Sequence, residues 1–139
     1  MRKRVEKILS ALDCPKAELS LTFVNDPAMA RLNRTIMQRR GTTNVIALPQ
    51  QGGPFPEVQP QILGDVIISL ETTQRQAWQQ GWEFAELFDL YLIHGILHLL
   101  GYDHETSEAA AQCMAVKTKE LFLRLYPELK EVIAWPDWK

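Results

Sequence analysis

The sequence predicts an α+β fold in which a small mixed β-sheet packs against about five helices. Two observations predict this fold class. Segments with helical and strand-like patterns follow one another in the order α, β, α, β, β, α, α, α, which places the helices largely on one side of the sheet. The chain has 139 residues, of which 46% are hydrophobic and 23% charged, as in a single globular domain. We therefore expect residues 1–139 to fold as one domain.

The first part of the chain is predicted to contain a helix, a strand and the start of a second helix. Apolar residues recur at helical spacing over Val5–Leu12, and this helix has to end before Pro15. Leu19–Val24 alternates apolar and polar residues, as a β-strand does. Asn25 can cap the first turn of the next helix, and Pro27 fits into that turn. These signals predict a helix start at residue 25.

The middle of the chain is predicted to contain two strands that are separated by a loop. The preceding helix is expected to turn three apolar residues inward: Met29, Leu32 and Ile36. Thr43–Leu48 and Ile62–Leu70 have the composition of strands. Between them, Pro49–Pro60 is rich in proline, glycine and glutamine, which predicts a loop inside the domain, since neither side is large enough to fold alone.

The C-terminal half is predicted to be helical. One helix begins at Thr72 and stops at Gly81, where glycine can adopt the left-handed conformation of a helix end. A strongly apolar helix follows over Glu83–Leu100 and stops in the same way at Gly101. The last long helix is expected over Ser107–Tyr126.

All three histidines of the chain lie within eleven residues, at the spacing of metal ligands. His94 and His98 are four residues apart, so both imidazoles can extend from one face of the apolar helix. Gly101 allows the chain to turn back sharply, and His104 can then approach from the other side. The pattern predicts a three-histidine metal centre on a central apolar helix, as in the helix and turn of metzincin proteases.

A single histidine is more often an ordinary core or surface residue than a ligand. Two histidines on an apolar helix would each be costly to bury without a partner, however, and the third has ligand spacing. Three neutral imidazoles with one open position form a catalytic zinc site, in which the metal lowers the pKa of water toward neutrality. Metzincins carry a general-base glutamate where this chain has Gly95, so peptidase activity is the weaker inference.

Composition and charge exclude several other classes of protein. The net charge of −2 gives no global attraction to nucleic acid, so an RNA partner would need a local basic patch. Cys14 and Cys113 lie far apart and form no CxxC motif, which favours a reduced cytoplasmic protein. The basic N-terminus lacks the apolar segment of a signal peptide, and no apolar run is long enough to span a membrane.

Three segments resemble the YbeY family of bacterial metal-dependent endoribonucleases. His94–His104 reads HGILHLLGYDH and is similar to that family's HGxLHLxGYDH pattern at every fixed position. Ile62–Ser69 resembles its LGDIxIS strand. Leu32–Asn33, followed by Thr43–Pro49, resembles its LN…T[DN]VLSFP stretch. The resemblance covers roughly residues 15–126 and favours a single metal-dependent hydrolase domain of this family.

The resemblance implies that His94, His98 and His104 bind one zinc ion per chain. It also implies that the substrate is single-stranded RNA near the 3′ end of small-subunit (16S) ribosomal RNA, and that the protein acts in ribosomal RNA maturation and ribosome quality control in the cytoplasm. Ribosomal RNA and small-subunit ribosomal proteins are the implied partners. His94 also matches a residue implicated in the activity of the family.

The sequence departs from the family pattern at two places. Ungapped alignment puts Met37 where the family usually has an arginine thought to aid catalysis, and methionine cannot hold a phosphate. Arg39 and Arg40 lie close by and are the candidate replacements, with Arg34 as a further possibility; the alternative is that they form a solvated helix end. Family members also usually have a strand before the first helix, so either the sheet is one strand smaller or the sequence is shortened.

Three functional hypotheses follow from these observations. The first is a zinc-dependent endoribonuclease in which His94, Arg39 and Arg40 take part in catalysis. The second is a ribosome-associated RNA- or protein-binding module with structural zinc and weak or lost nuclease activity, which the methionine at position 37 favours. The third is a metal-dependent hydrolase of another substrate. A fourth protein ligand would indicate structural zinc, whereas an open position would indicate catalytic zinc.

Overall fold

The computed structural model describes residues 2–50 and 62–129, so most of the predicted Pro49–Pro60 loop lies outside the described residues. The helices and strands of the described part have the following bounds: α1 Arg2–Ala11, β1 Glu18–Val24, α2 Asp26–Met37, β2 Val45–Pro49, β3 Ile62–Ser69, α3 Leu70–Gln80, α4 Phe84–Leu99 and α5 Glu108–Leu125. A short 3-10 helix, Pro127–Leu129, follows α5. The predicted α+β class, with a small sheet and about five helices, is confirmed.

The three strands form one mixed sheet with the order β1-β3-β2. β1 runs parallel to β3, with Leu21 opposite Val66, and β2 runs antiparallel to β3, with Ile46 opposite Ile67. β3 lies in the centre because its apolar residues bury both of their alternating faces, which an edge strand cannot do as completely.

The helices cover the two faces of the sheet unequally. Val66 and Ile68 point to one face, where they join a hydrophobic core with buried residues of α1, α3, α4 and α5. Ile67 points to the other face and packs with Ile46 and with Met29 of α2. The prediction that the helices lie largely on one side is therefore confirmed, with α2 as the exception. Helix α4 lies at the centre of the larger core, and every residue from 87 to 97 is buried.

The predicted inward orientation of Ile36 is wrong. Met29 is fully buried and Leu32 packs at the edge of the smaller apolar cluster, but Ile36 is 41% exposed. The cluster on this face of the sheet ends at Leu32, so the last turn of α2 has no apolar surface to cover. Met37, on that turn, lines the same cleft as the histidines.

Two polar clusters fix the helices around the sheet. Asp26 at the start of α2 accepts hydrogen bonds from Ser69 at the end of β3 and from Thr72 of α3. It also pairs with Arg75 of α3 at 2.9 Å. The hydrogen bond from Thr72 is the main cause that lowers the pKa of Asp26, with further contributions from Arg75 and Ser69. These contacts attach α2 to α3.

The second cluster is built around Asp89, a carboxylate in the apolar helix α4 that is 1% exposed. Arg4 of α1 donates to both of its oxygens at 3.0 Å, and the hydroxyl of Tyr126 donates to one of them. Burial raises the pKa of Asp89, although Tyr126 and Arg4 oppose the shift. Asp89 therefore connects α4 to α1 and to the C-terminal end of α5.

None of the described helices has the length and apolar character needed to cross a membrane.

Candidate metal centre

Helix α4 places two imidazoles side by side. His94 and His98 are one helical turn apart, and their Nε2 atoms lie 3.0 Å from each other. Their ring centroids are 4.6 Å apart, with the planes at 73°. Because four residues make about one turn of a helix, this convergence follows from the sequence spacing alone.

The chain turns back immediately after α4 through a Schellman motif. Gly101 has a φ of 98°, its N–H donates to the carbonyl of His98, and the N–H of Tyr102 donates to the carbonyl of Leu97. Only glycine adopts such a positive φ without strain, so Gly101 ends the helix where the sequence predicted. The turn brings His104 back to the face of α4 that carries the other two histidines.

The third imidazole completes a compact cluster. The ring centroid of His104 lies 5.2 Å from that of His94 and 5.4 Å from that of His98. One nitrogen of each ring can be chosen so that all three lie within 4.8 Å of one another. Zn–N bonds of about 2.0–2.1 Å in a tetrahedral site hold ligand nitrogens about 3.3 Å apart. The three nitrogens therefore lie close enough together to hold one metal ion.

The electrostatic environment keeps the rings of His94 and His98 neutral. His94 is 7% exposed, and its pKa is lowered to about 3, mainly by burial and further by His98 and His104. Burial is also the main cause that lowers the pKa of His98, followed by His104. Neutral imidazole is the form that binds a metal, because the ligand nitrogen must have a free lone pair. At neutral pH, His94 and His98 are therefore in the state required for metal binding.

Two further observations show that the cluster fits a metal ion. The Nδ1 atom of His104 is buried and has no hydrogen-bond partner among the described residues, which is costly for a polar atom in a protein interior. Within the described ranges, no cysteine or carboxylate joins the three histidines as a fourth ligand. Three imidazoles with a position left open are the donor set of a catalytic zinc site.

The three histidines line a cleft. Its other lining residues come from the second half of α2, the following loop, β2, α4 and the turn after α4: Asn33, Met37, Arg39, Thr43, Asn44, Val45, Ile46, Ala47, Gly95 and Glu105. The buried side chain of Asn33 donates to the carbonyl of Gly41 at 2.9 Å and so holds the loop against α2. Asn44 accepts from the N–H of Val45 and contacts Gln76 of α3. Both asparagines therefore shape the wall of the cleft.

The candidate arginines are placed differently. Arg39 lines the cleft, and its Nη2 atom lies 3.8 Å from Oε2 of Glu105. Arg40 is exposed and is not among the described residues that line the cleft, and the same holds for Arg34. Met37 is 39% exposed and lines the same cleft as the histidines. Of the three candidate arginines, Arg39 alone lines the cleft that contains the histidines.

Several residues of the cleft were not predicted as site residues. The sequence pattern predicts a strand that includes Thr43 and Asn44, but β2 begins only at Val45, and these two residues form part of the cleft. Glu105 follows directly after the third histidine, which was the only available signal in the sequence. Asp103, between Tyr102 and His104, accepts a hydrogen bond from the N–H of Glu105 at 2.9 Å and stabilises the turn.

The chain matches a known family over most of its length. A family model described as "Endoribonuclease YbeY" matches residues 1–126. A relative from Geobacter metallireducens named Endoribonuclease YbeY is 43% identical over 129 residues, which cover 92% of this chain and 86% of that protein. A relative of the same name from Syntrophus aciditrophicus is 39% identical over 127 residues, with coverages of 91% and 79%.

A solved structure has the same fold. The solution structure of TM1509 from Thermotoga maritima matches with a TM-score of 0.66 and 20% sequence identity. The match covers 99% of this chain and 89% of that one. At this level of identity the likeness concerns the arrangement of helices and strands, and it agrees with the α+β class.

Proposed function

The chain belongs to the YbeY endoribonuclease family, and from this premise we propose that it is a zinc-dependent hydrolase that cleaves phosphodiester bonds in single-stranded RNA. The observation that carries the proposal is the convergence of His94, His98 and His104 in an open cleft. The names of the relatives support RNA as the substrate. The unsatisfied Nδ1 of His104 supports a bound metal ion.

Each part of the site has a separate role in this proposal. His94, His98 and His104 would hold the metal, and zinc would supply Lewis acidity that polarises a phosphoryl oxygen and activates water. Arg39 would neutralise the charge of the phosphate, because a guanidinium can donate two parallel hydrogen bonds to it. Gly101 and Asp103 would keep the turn rigid, so that the third imidazole stays in place. Arg40 would act only through longer-range attraction of RNA.

The biological setting belongs to the same proposal. The protein would act on ribosomal RNA near the 3′ end of the 16S molecule, in contact with small-subunit proteins in the cytoplasm, and would contribute to ribosome quality control. These assignments rest on the resemblance to the family, whose model matches residues 1–126. The net charge of −2 means that attraction to RNA would come from the local charge of the cleft rather than from the whole molecule.

The second candidate, an RNA- or protein-binding module with structural zinc, is favoured by one observation. Met37 faces the cleft at the position where the family usually has an arginine, so one cation is missing there. Against this, no fourth protein ligand accompanies the histidines in the described part of the chain. The open metal position and the presence of Arg39 in the cleft make the enzyme the better-supported candidate.

Removal of the metal is the direct test of the proposed function. We expect the zinc-loaded protein to cleave a fluorescently labelled single-stranded RNA, and the protein dialysed against EDTA to lose at least about 10³-fold in rate, since the metal contributes several kcal/mol to the transition state. Addition of one equivalent of zinc should restore the activity. Cleavage that is equally fast with and without chelator would contradict the proposal, and binding of RNA without cleavage would favour the second candidate.

The two neighbouring arginines provide a matched pair for mutation. We expect Arg39→Gln to lower kcat/KM for RNA about 10-fold, because it removes the guanidinium of the cleft. A tenfold change in rate corresponds to about 1.4 kcal/mol of transition-state stabilisation. Arg40→Gln changes the net charge equally but is expected to change kcat/KM less than about 2-fold. The measurement is the initial rate over a range of RNA concentrations. Equal losses in both variants would show that Arg39 has no special role.

A further inference from the structure

Glu105 lies between the metal centre and the arginine of the cleft. Its Oε1 atom is 4.0 Å from Nε2 of His104, and its Oε2 atom is 3.8 Å from Nη2 of Arg39. The backbone of Glu105 is fixed by the hydrogen bond from its N–H to Asp103. A single carboxylate therefore contacts both the third histidine and the cation that would bind a phosphate.

The charges that line the cleft are few. Within the described ranges, Arg39 is its one arginine or lysine and Glu105 its one acidic residue. An anionic substrate that enters the cleft and reaches Arg39 thus meets a carboxylate already paired with it. Two anions cannot both occupy the same face of one guanidinium without repulsion, so the substrate has to compete with Glu105.

We propose that Glu105 is an internal competitor of the substrate phosphate: it pairs with Arg39 in the free protein and yields this arginine to a phosphate of the RNA. The inference rests on the proposed function, since it concerns how the same cleft selects its substrate. Glu105 is then a specificity-determining residue. It occupies the phosphate-binding position, so that only a ligand with an anion at the right distance from the histidines displaces it.

The geometry suits an exchangeable contact. The side chains of Arg39 and Glu105 are 60% and 58% exposed, and their separation of 3.8 Å is longer than a hydrogen bond. Exposed ion pairs of this kind contribute little to stability, so a phosphate can replace the contact. A phosphate with two oxygens toward the guanidinium forms the stronger, bidentate contact. In the free protein, Arg39 is therefore held near the histidines by a contact that the substrate can replace.

The test is the affinity for RNA of a charge-neutral variant and its control. Glu105→Gln is expected to bind single-stranded RNA about 2- to 5-fold more tightly than the unchanged protein, which corresponds to the loss of a competing ion pair of up to about 1 kcal/mol. Glu108→Gln, an exposed residue at the start of α5 that does not line the cleft, makes the same change in net charge. It is expected to change the affinity less than about 1.5-fold.

Binding would be measured by fluorescence anisotropy with zinc-loaded protein and a labelled 2′-O-methyl oligonucleotide, whose integrity is checked on a gel after each titration. The Arg39→Gln background separates the mechanism from simple repulsion. If Glu105 acts through Arg39, Glu105→Gln tightens binding less than about 1.5-fold in that background. An undiminished gain there, or equal gains from Glu105→Gln and Glu108→Gln, would overturn the inference.

The two proposals fail in different ways. If the unchanged protein does not bind RNA, both the proposed function and the inference are wrong. If Arg39→Gln weakens binding while Glu105→Gln behaves as Glu108→Gln does, the inference alone is wrong and the proposed function stands. If Arg39→Gln leaves binding unchanged, the role of Arg39, and with it that of Glu105, is refuted, whereas the metal-dependent cleavage is tested separately by chelation.

Discussion

Replacing His98 with alanine is expected to lower RNA cleavage by at least about 10³-fold and to abolish stoichiometric zinc binding. His98 is the second of the three histidines in the sequence, and its Nε2 atom lies 3.0 Å from that of His94. Without it, the metal would be held by His94 and His104 alone, which come from opposite sides of the turn at Gly101. The loss follows from the several kcal/mol that a metal contributes to the transition state. It would be measured as kcat/KM together with the zinc content of the purified protein.

A control has to separate the loss of a ligand from the loss of stability. Thr118→Ala removes a buried hydroxyl of α5 that donates to the carbonyl of Met114, away from the cleft. We expect this variant to lose about 1 kcal/mol of stability and to keep its zinc and its activity. His98→Ala should retain the helical circular dichroism of the unchanged protein. Equal cleavage by His98→Ala and the unchanged protein would point to a contaminating nuclease and would refute the metal proposal.

The parts of the fold that could be predicted are those encoded within a few residues. Asn25 caps α2 through a hydrogen bond from the N–H of Ala28, and Pro27 lies in the first turn, as the sequence indicated. Gly81 and Gly101 end their helices with φ of 73° and 98°. Such signals act over one turn of chain, so they do not depend on the rest of the fold. The convergence of His94 and His98 could be predicted for the same reason.

The parts that could not be predicted depend on contacts between distant residues. Asp89 in the apolar helix gave no sign of its structural role, because its partners Arg4 and Tyr126 are 85 and 37 residues away. The exposure of Ile36 depends on where the apolar surface of the sheet ends, which the helical period does not encode. The wall of the cleft likewise brings together Asn33 and Asn44 with the histidines from separate segments.

The sequence shows that Met37 departs from the family pattern, but it does not show which nearby arginine replaces the missing one. Met37 and Arg39 both line the cleft, although the two residues are on the last turn of α2 and in the loop beyond it. Gln38 between them has a φ of 56°, so the chain changes direction there. That change breaks the helical periodicity by which Arg39 and Arg40 would otherwise have been oriented. The contact of Arg39 with Glu105 depends on this local conformation.

Replacing Gly95 with glutamate, which restores the HExxH pattern of the metzincins, is expected to lower the free energy of unfolding by about 3 kcal/mol or more and to create no peptidase activity. A Cβ at position 95 would lie 2.7 Å from Cγ1 of Val66 and 3.4 Å from Cγ2 of Val45. Both contacts belong to the sheet, and Val66 is fully buried in its central strand. The side chain would therefore overpack the interface of α4 with the sheet and bury a carboxylate. Chemical denaturation and a peptide-cleavage assay would check both parts.

We expect steric overlap, rather than the charge of glutamate, to be the main cause of this destabilisation, and control variants separate the two causes. Ala85→Glu introduces the same side chain at an exposed position of α4 and is expected to change stability by less than about 0.5 kcal/mol. Gly95→Ala should cost about 1–2 kcal/mol despite the better helix propensity of alanine. Val66→Ala removes the opposing methyl groups, so the Gly95→Ala/Val66→Ala double variant should be destabilised by less than the sum of the single changes. Strict additivity would show that Gly95 is not required for the close approach of α4 to the sheet.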